Sequence, residues 1–173
     1  MNYRFFLLLS IFSFAITISF AQGKGKIGLS GSLQENQYGI LIPIWITDNL
    51  SIAPAFDFKY AEKIGTDFSL GIVPRFYIKT EKFSPYFGLK FGALFNISSS
   101  EYVINNTTSK KETTIDIIGG LAFGAEYFLS ENFSFGLEVQ GNLTKSDKNS
   151  SRFGNPNGIN FNTGTAISAT IYF

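Results

Sequence analysis

The chain has no cysteine and no histidine, one tryptophan and one methionine in 173 residues, and only 16% of its side chains are charged. Without Cys there is no disulfide framework and no thiolate; without His there is no imidazole metal site and no His-dependent triad. Lys and Arg (14) nearly balance Asp and Glu (13), so no basic footprint for nucleic acid exists. Low charge does not mean disorder here, because mean hydropathy lies just above zero. What the chain has instead is 17% aromatic residues, including 20 Phe, together with 17 Gly. Its length suits one domain.

Asn2-Tyr3-Arg4 makes a short basic start, Phe5–Ile18 an apolar run, and Ser19-Phe20-Ala21 supplies small residues at the two cleavage-site positions. That is the pattern of a secretory signal peptide, residues 1–21, cleaved after Ala21 to leave a mature domain at residues 22–173. The run is shorter than the roughly 20 residues a spanning helix needs. No Cys follows it to carry a lipid anchor.

From Lys26 onward the chain alternates with period two, the signal of half-buried strands, and no long segment has a helical period. Lys26–Gln34 and Tyr38–Ile46 come first. Then Leu50, Ile52, Pro54, Phe56, Phe58 and Tyr60 stand against Ser51, Ala53, Ala55, Asp57 and Lys59. Further alternating segments run from Phe68 to Ile78, Tyr86 to Ile97, Ile115 to Tyr127, Phe133 to Leu143 and Ile159 to Phe173, eight strands in all. Tight turns at Thr47–Asn49, Lys79–Ser84 and Leu129–Asn132 contrast with long polar loops at Ser98–Glu112 and Thr144–Gly158. Pro43, Pro54 and Pro74 each remove a ladder hydrogen bond, which bulges can accommodate, and the strand register beside them stays open. Tyr38–Ile46 is apolar on both parities, which leaves the facing of Trp45 open.

Side-chain volume decides which way the apolar face points. It carries Phe56, Phe58, Phe68, Phe76, Phe87, Phe91, Phe95, Phe123, Phe133, Phe135, Phe161 and Phe173, besides many Leu and Ile. An eight-stranded interior is just wide enough for ordinary side chains or one small ligand, so these rings cannot all point inward. The opposite face is Gly, Ala, Ser and Asn with scattered charges. Apolar outside and polar inside, with an even strand number and short turns at one end, predicts an all-β, eight-stranded antiparallel up-and-down transmembrane barrel.

These residues resemble the small eight-stranded outer-membrane β-barrel proteins of Gram-negative bacteria, in the OmpA/OmpX-like group and especially its Bacteroidetes type. The resemblance spans the whole chain. It is sharpest in the last strand, where Ile167, Ala169, Ile171, Tyr172 and Phe173 look like the signal read by the barrel-assembly machinery. It implies residence in the bacterial outer membrane, lipid and the assembly machinery as partners, no cofactor, and an extracellular partner that stays unnamed. Small outer-membrane barrels that are enzymes use a catalytic His by that resemblance, and this chain has none, so no catalytic, cofactor or metal site is expected.

Gly23-Lys24-Gly25-Lys26-Ile27-Gly28 matches the dinucleotide-binding pattern by letter but precedes a strand, where that pattern needs a helix. The charges that parity places in the lumen are Asp57, Lys59, Arg75, Lys90, Asp116, Glu126 and Glu138. Counted from the short-turn end, Lys90 and Glu138 fall near mid-height, Arg75 and Glu126 lower, and Asp57, Lys59 and Asp116 higher. Opposite charges are expected to meet in these layers as a plug, because unpaired charge in so narrow an interior is costly. The function expected is non-enzymatic, structural or surface-interacting through mobile loops. A narrow porin-like channel and a secreted lipocalin-like carrier of an apolar ligand are the alternatives.

Overall fold

A computed structural model describes residues 23–34, 37–61, 65–98, 103–104, 107–108 and 113–173; the expected signal peptide and most of the Ser98–Glu112 loop lie outside these. The elements are β1 (Gly28–Gln34), β2 (Gln37–Leu41), β3 (Ile44–Thr47), β4 (Leu50–Ala61), β5 (Gly65–Tyr77) and β6 (Phe83–Ser98), then β7 (Val103–Ile104), β8 (Thr107–Thr108), β9 (Thr113–Ser130), β10 (Phe133–Lys145) and β11 (Ile159–Tyr172). Neighbours follow the order β2-β1-β11-β10-β9-β6-β5-β4-β3, and a β2–β4 pairing closes the ring. All pairings are antiparallel. Because β2 and β3 are two halves of one stave, the result is a closed eight-stranded barrel. Strands β7 and β8 form a separate small hairpin.

The register left open beside the prolines is kept across all three. On one side Gly39 pairs with Asp57 before the break at Pro43 and Ile44 with Ile52 after it, which is the same register. On the other side Ser30 pairs with Leu41 and Ile27 bridges Ile44, again without slip. The Pro43 carbonyl still accepts from the Gly28 N–H at 2.8 Å, and the Pro54 carbonyl accepts from Ile42 N–H at 2.9 Å. Pro43 and Pro54 therefore lapse at one junction, where β4 changes partner from β2 to β3. At Pro74 the β5–β6 ladder simply pauses between Ile72–Phe91 and Arg75–Gly88 and resumes in register. The irregularities that do shift register lie near the short turns, at Trp45–Thr47 and at Phe133–Ser134.

Alternation sorts the side chains between two environments, since successive Cβ atoms leave a strand on opposite faces. Along β10, Phe135, Leu137, Val139 and Leu143 are exposed while Ser134, Glu138, Gln140, Asn142 and Thr144 are buried. The outer wall also carries Phe56, Phe58, Phe87, Phe91, Phe123 and Phe161, the last two 66% and 68% exposed. Stacked ring pairs join adjacent staves across it, Phe68 with Phe95 and Phe76 with Phe87, at centroid distances of 4.5 and 4.9 Å. Inside, bulky rings are admitted only where a facing residue is small. A Cβ on Gly28 would lie 2.8 Å from the Tyr172 ring, and one on Gly124 would lie 2.6 Å from the Tyr86 hydroxyl.

Candidate functional site

The lumen is built in three levels between the short-turn end and the loop end. Its floor is aromatic: Trp45, Tyr77, Tyr86, Phe128 and Tyr172 are all buried in one cluster. Trp45 stacks on Tyr77 with centroids 4.5 Å apart and stands 6.4 Å from Tyr172. This settles the open facing of Trp45. Its register partner Ser51 belongs to the buried row of β4, so Trp45 points inward.

Two carboxylates rise from this floor, each held by hydroxyl donors. Glu126 accepts from the Tyr77 and Tyr172 hydroxyls at 2.6 and 2.7 Å and from the Ser134 hydroxyl. Glu138 accepts from Arg75 Nη2 at 3.0 Å, the Tyr86 hydroxyl at 2.7 Å and Gln140 Nε2 at 2.5 Å. The Arg75 guanidinium also lies 4.8 Å from the centre of the Tyr86 ring. Hydrogen bonds to an ionised partner are the stronger class, and a buried charge survives only with such partners. The chain of amides continues upward through Gln34 and Asn142, both of which donate to Gln140.

Above this level lies a small cavity lined by Asp57, Arg75, Lys90, Glu138, Gln140 and Ser168, among others, with room for about 40 Å³ of water. That admits a few water molecules. It is far below the 300–1,000 Å³ range of small-molecule sites. Asp57 accepts from the Ser69 hydroxyl at 2.6 Å. Lys90 reaches this cavity without an ion-pair or hydrogen-bond partner among the described residues.

The loop end is closed by a cationic side chain. Arg152, from the β10–β11 connection, places Nε 3.3 Å from Asp116 and Nη2 3.0 Å from Asp67, and donates to the Phe95 carbonyl at 3.3 Å. Asp116 also accepts from the Asp147 N–H at 2.7 Å and the Ser150 hydroxyl at 2.9 Å. The segment Ser146–Gly158 is thereby folded inward over the lumen. The sequence reading of a mobile-looking loop did not foresee these contacts, by which buried Asp116 and half-buried Asp67 hold it at Asp147, Ser150 and Arg152.

Of the seven charges placed in the lumen by parity, the structure brings Arg75 and Glu138 together as an ion pair. The expected layers differ in detail. Arg75 reaches up to Glu138 and leaves Glu126 to hydroxyls, while Asp116 is met by Arg152 from the loop. Lys59 stands exposed near the loop end of β4, in register with Asp67. Parity arguments missed Arg152, because a loop residue has no parity, and missed the tyrosines as donors, although Tyr77 and Tyr86 already fell on the lumen face. In the last strand, Ile167, Ile171 and Phe173 are exposed on the outer wall, Ala169 is half-buried, and Tyr172 points inward. Lys26, just before β1, donates to the Glu131 carbonyl at 2.8 Å; burial lowers its pKa while the Glu131 charge opposes the shift.

The chain is similar in fold to the N-terminal β-barrel domain of Pseudomonas aeruginosa OprF, at 18% identity and a TM-score of 0.50, over 88% of this chain and 100% of that one. It is likewise similar to the Neisserial surface protein A, NspA, at 14% identity and a TM-score of 0.56, over 86% and 94% of the two chains. No family model and no curated protein matches the chain. At these identities the likeness is one of architecture, and both structures are bacterial barrels of the same kind.

Proposed function

We propose that this protein is an integral outer-membrane barrel of the OmpA/OmpX-like kind, non-enzymatic, with a plugged lumen and a structural or surface-interacting role at its loop end. The observation that carries the reading is the outer wall. Exposed Phe, Leu and Ile ring the barrel from Phe83 to Phe91 on β6, Leu121 to Leu129 on β9 and Phe135 to Leu143 on β10. Soluble proteins rarely expose contiguous apolar patches beyond a few hundred Å², and a lipid-facing barrel requires one. A closed ring also leaves no unpaired sheet edge, as a hydrocarbon surroundings demands.

The lipocalin-like alternative needs an apolar interior with room for a ligand. The lumen instead buries Arg75, Glu138, Glu126 and Asp116, and its cavity of about 40 Å³ is lined by Asp57, Arg75, Lys90 and Glu138 among others. The reading of the lumen charges as a plug draws on the same packing, since each carboxylate of the floor is bonded to an inward Tyr. On this reading the short turns face the periplasm, the Ser146–Gly158 loop faces outward, and Ile167, Ala169, Ile171, Tyr172 and Phe173 serve as the assembly signal. Fractionation of cells expressing the full chain tests the assignment. It is expected in the outer-membrane fraction, with heat-modifiable migration on a denaturing gel; recovery in the soluble periplasmic or secreted fraction without detergent overturns it.

A further inference from the structure

The apolar outer wall is not smooth. Over β6, β9 and β10, near the short turns, it is cut by a groove of about 560 Å³ lined by Phe83, Phe123, Tyr127, Phe135, Leu137 and Val139 among others. Its floor follows from the register. Ala125 lies on the outward row of β9 between Phe123 and Tyr127, which pair with Phe87 and Phe83 of β6. On the far side Ala125 faces Leu137. The groove therefore runs along the strands, walled by rings and floored by the Ala125 methyl group and the bare backbone of Gly124 and Gly136.

A cation stands at its turn end. Lys82 Nζ lies 5.5 Å from the centre of the Tyr127 ring, and that ring face is the contact its ammonium makes among the described residues. Its neighbour Lys79 is different, being paired with Glu81 at 3.1 Å. A long apolar slot with an ion-pair-free ammonium at its mouth complements one ligand chemistry, a hydrocarbon chain ending in a phosphate.

We propose that this groove is a binding site for one phospholipid of the turn-side leaflet, with an acyl chain lying over Ala125 between Phe123 and Leu137 and the phosphate on Lys82. The site rests on the reading of the chain as a membrane barrel. An exposed ammonium resting on an aromatic face attracts an anion without having to break an existing ion pair. The Tyr127 ring holds the long Lys82 side chain near the groove, which lowers the entropy cost of ordering it around a headgroup.

The test uses the full chain refolded in detergent micelles, its fold checked by heat-modifiable migration, and native mass spectrometry with added phosphatidylglycerol or the diacylglycerol of the same chains. Wild type is expected to retain a single phosphatidylglycerol. Lys82→Gln should weaken retention about five-fold, the effect of one cation at a membrane surface. Ala125→Phe, which fills the floor from the outside, should weaken it about ten-fold. Lys79→Gln should leave it unchanged, and diacylglycerol should bind wild type no better than phosphatidylglycerol binds Lys82→Gln. Equal retention by wild type and both groove variants overturns the site. Loss in Ala125→Phe alone overturns the phosphate contact and with it the proposal. A wild-type dimer that Ala125→Phe dissociates assigns the groove to a second copy and also overturns it. Failure of the membrane reading itself would register separately, as a chain that shows no heat-modifiable migration and stays soluble without detergent.

Discussion

Arg75 is the side chain whose placement demands most of this interior. It is 5% exposed, and a guanidinium cannot shed its charge, so its neighbours must supply the counter-charge. Glu138 does so, and the Tyr86 ring shields one face. Replacing Arg75 alone strands the Glu138 carboxylate in the lumen, whereas replacing both removes the problem with the pair. Arg75→Met is therefore expected to destabilise the barrel by about 3 kcal/mol or more, and Arg75→Met/Glu138→Gln by clearly less. Urea unfolding from lipid vesicles reads this directly, because the single tryptophan, Trp45, sits on the lumen floor and reports its disassembly. Equal losses in the single and double variants would contradict the pairing.

At the scale of elements, the staves were legible to within three residues at either end because period two repeats in each of them. The exact ends were not. Strand β10 continues through Thr144 to Lys145, beyond the apolar signal that stopped the sequence reading at Leu143, because pairing with β11 outlasts the apolar wall. The facing of Trp45 was illegible for a different reason: both parities of its strand are apolar, and only the pairing with Ser51 resolves it. The last loop was legible as a loop but its docking was not, since Arg152 finds Asp116 and Asp67 across 36 and 85 positions of chain and nothing local announces it. That latch makes a testable claim. Arg152→Gln or Asp116→Asn should free Ser146–Gly158, so that trypsin cuts after exposed Lys148 about ten-fold faster in reconstituted vesicles while the barrel stays intact. Unchanged cleavage would mean the loop is held by its own turns.

For the whole molecule, closure, apolar exterior and charged interior are one solution to one constraint. Strands that satisfy their backbone only in a ring leave an inside, and eight staves make that inside too narrow for a bulky apolar lining. The excess of Phe in the composition is thus an outer-wall property, and the charges carried by the staves themselves are largely a lumen property. With an aromatic floor at one end and Arg152 at the other, the purified protein in planar bilayers is expected to show no stable ion-selective openings, either as wild type or as Lys90→Ala; sustained openings would favour the channel reading.

The central claim is that the Phe- and Leu-rich wall faces lipid. The chain has no native cysteine, so single nitroxide labels introduced at Leu121→Cys and Leu137→Cys report that wall alone. Their collision rates with oxygen and with a water-soluble nickel chelate, measured in reconstituted vesicles, separate the two solvents. The account predicts oxygen-dominated relaxation at both positions, as in hydrocarbon. Labels that respond chiefly to the nickel chelate would place the wall in water and contradict it.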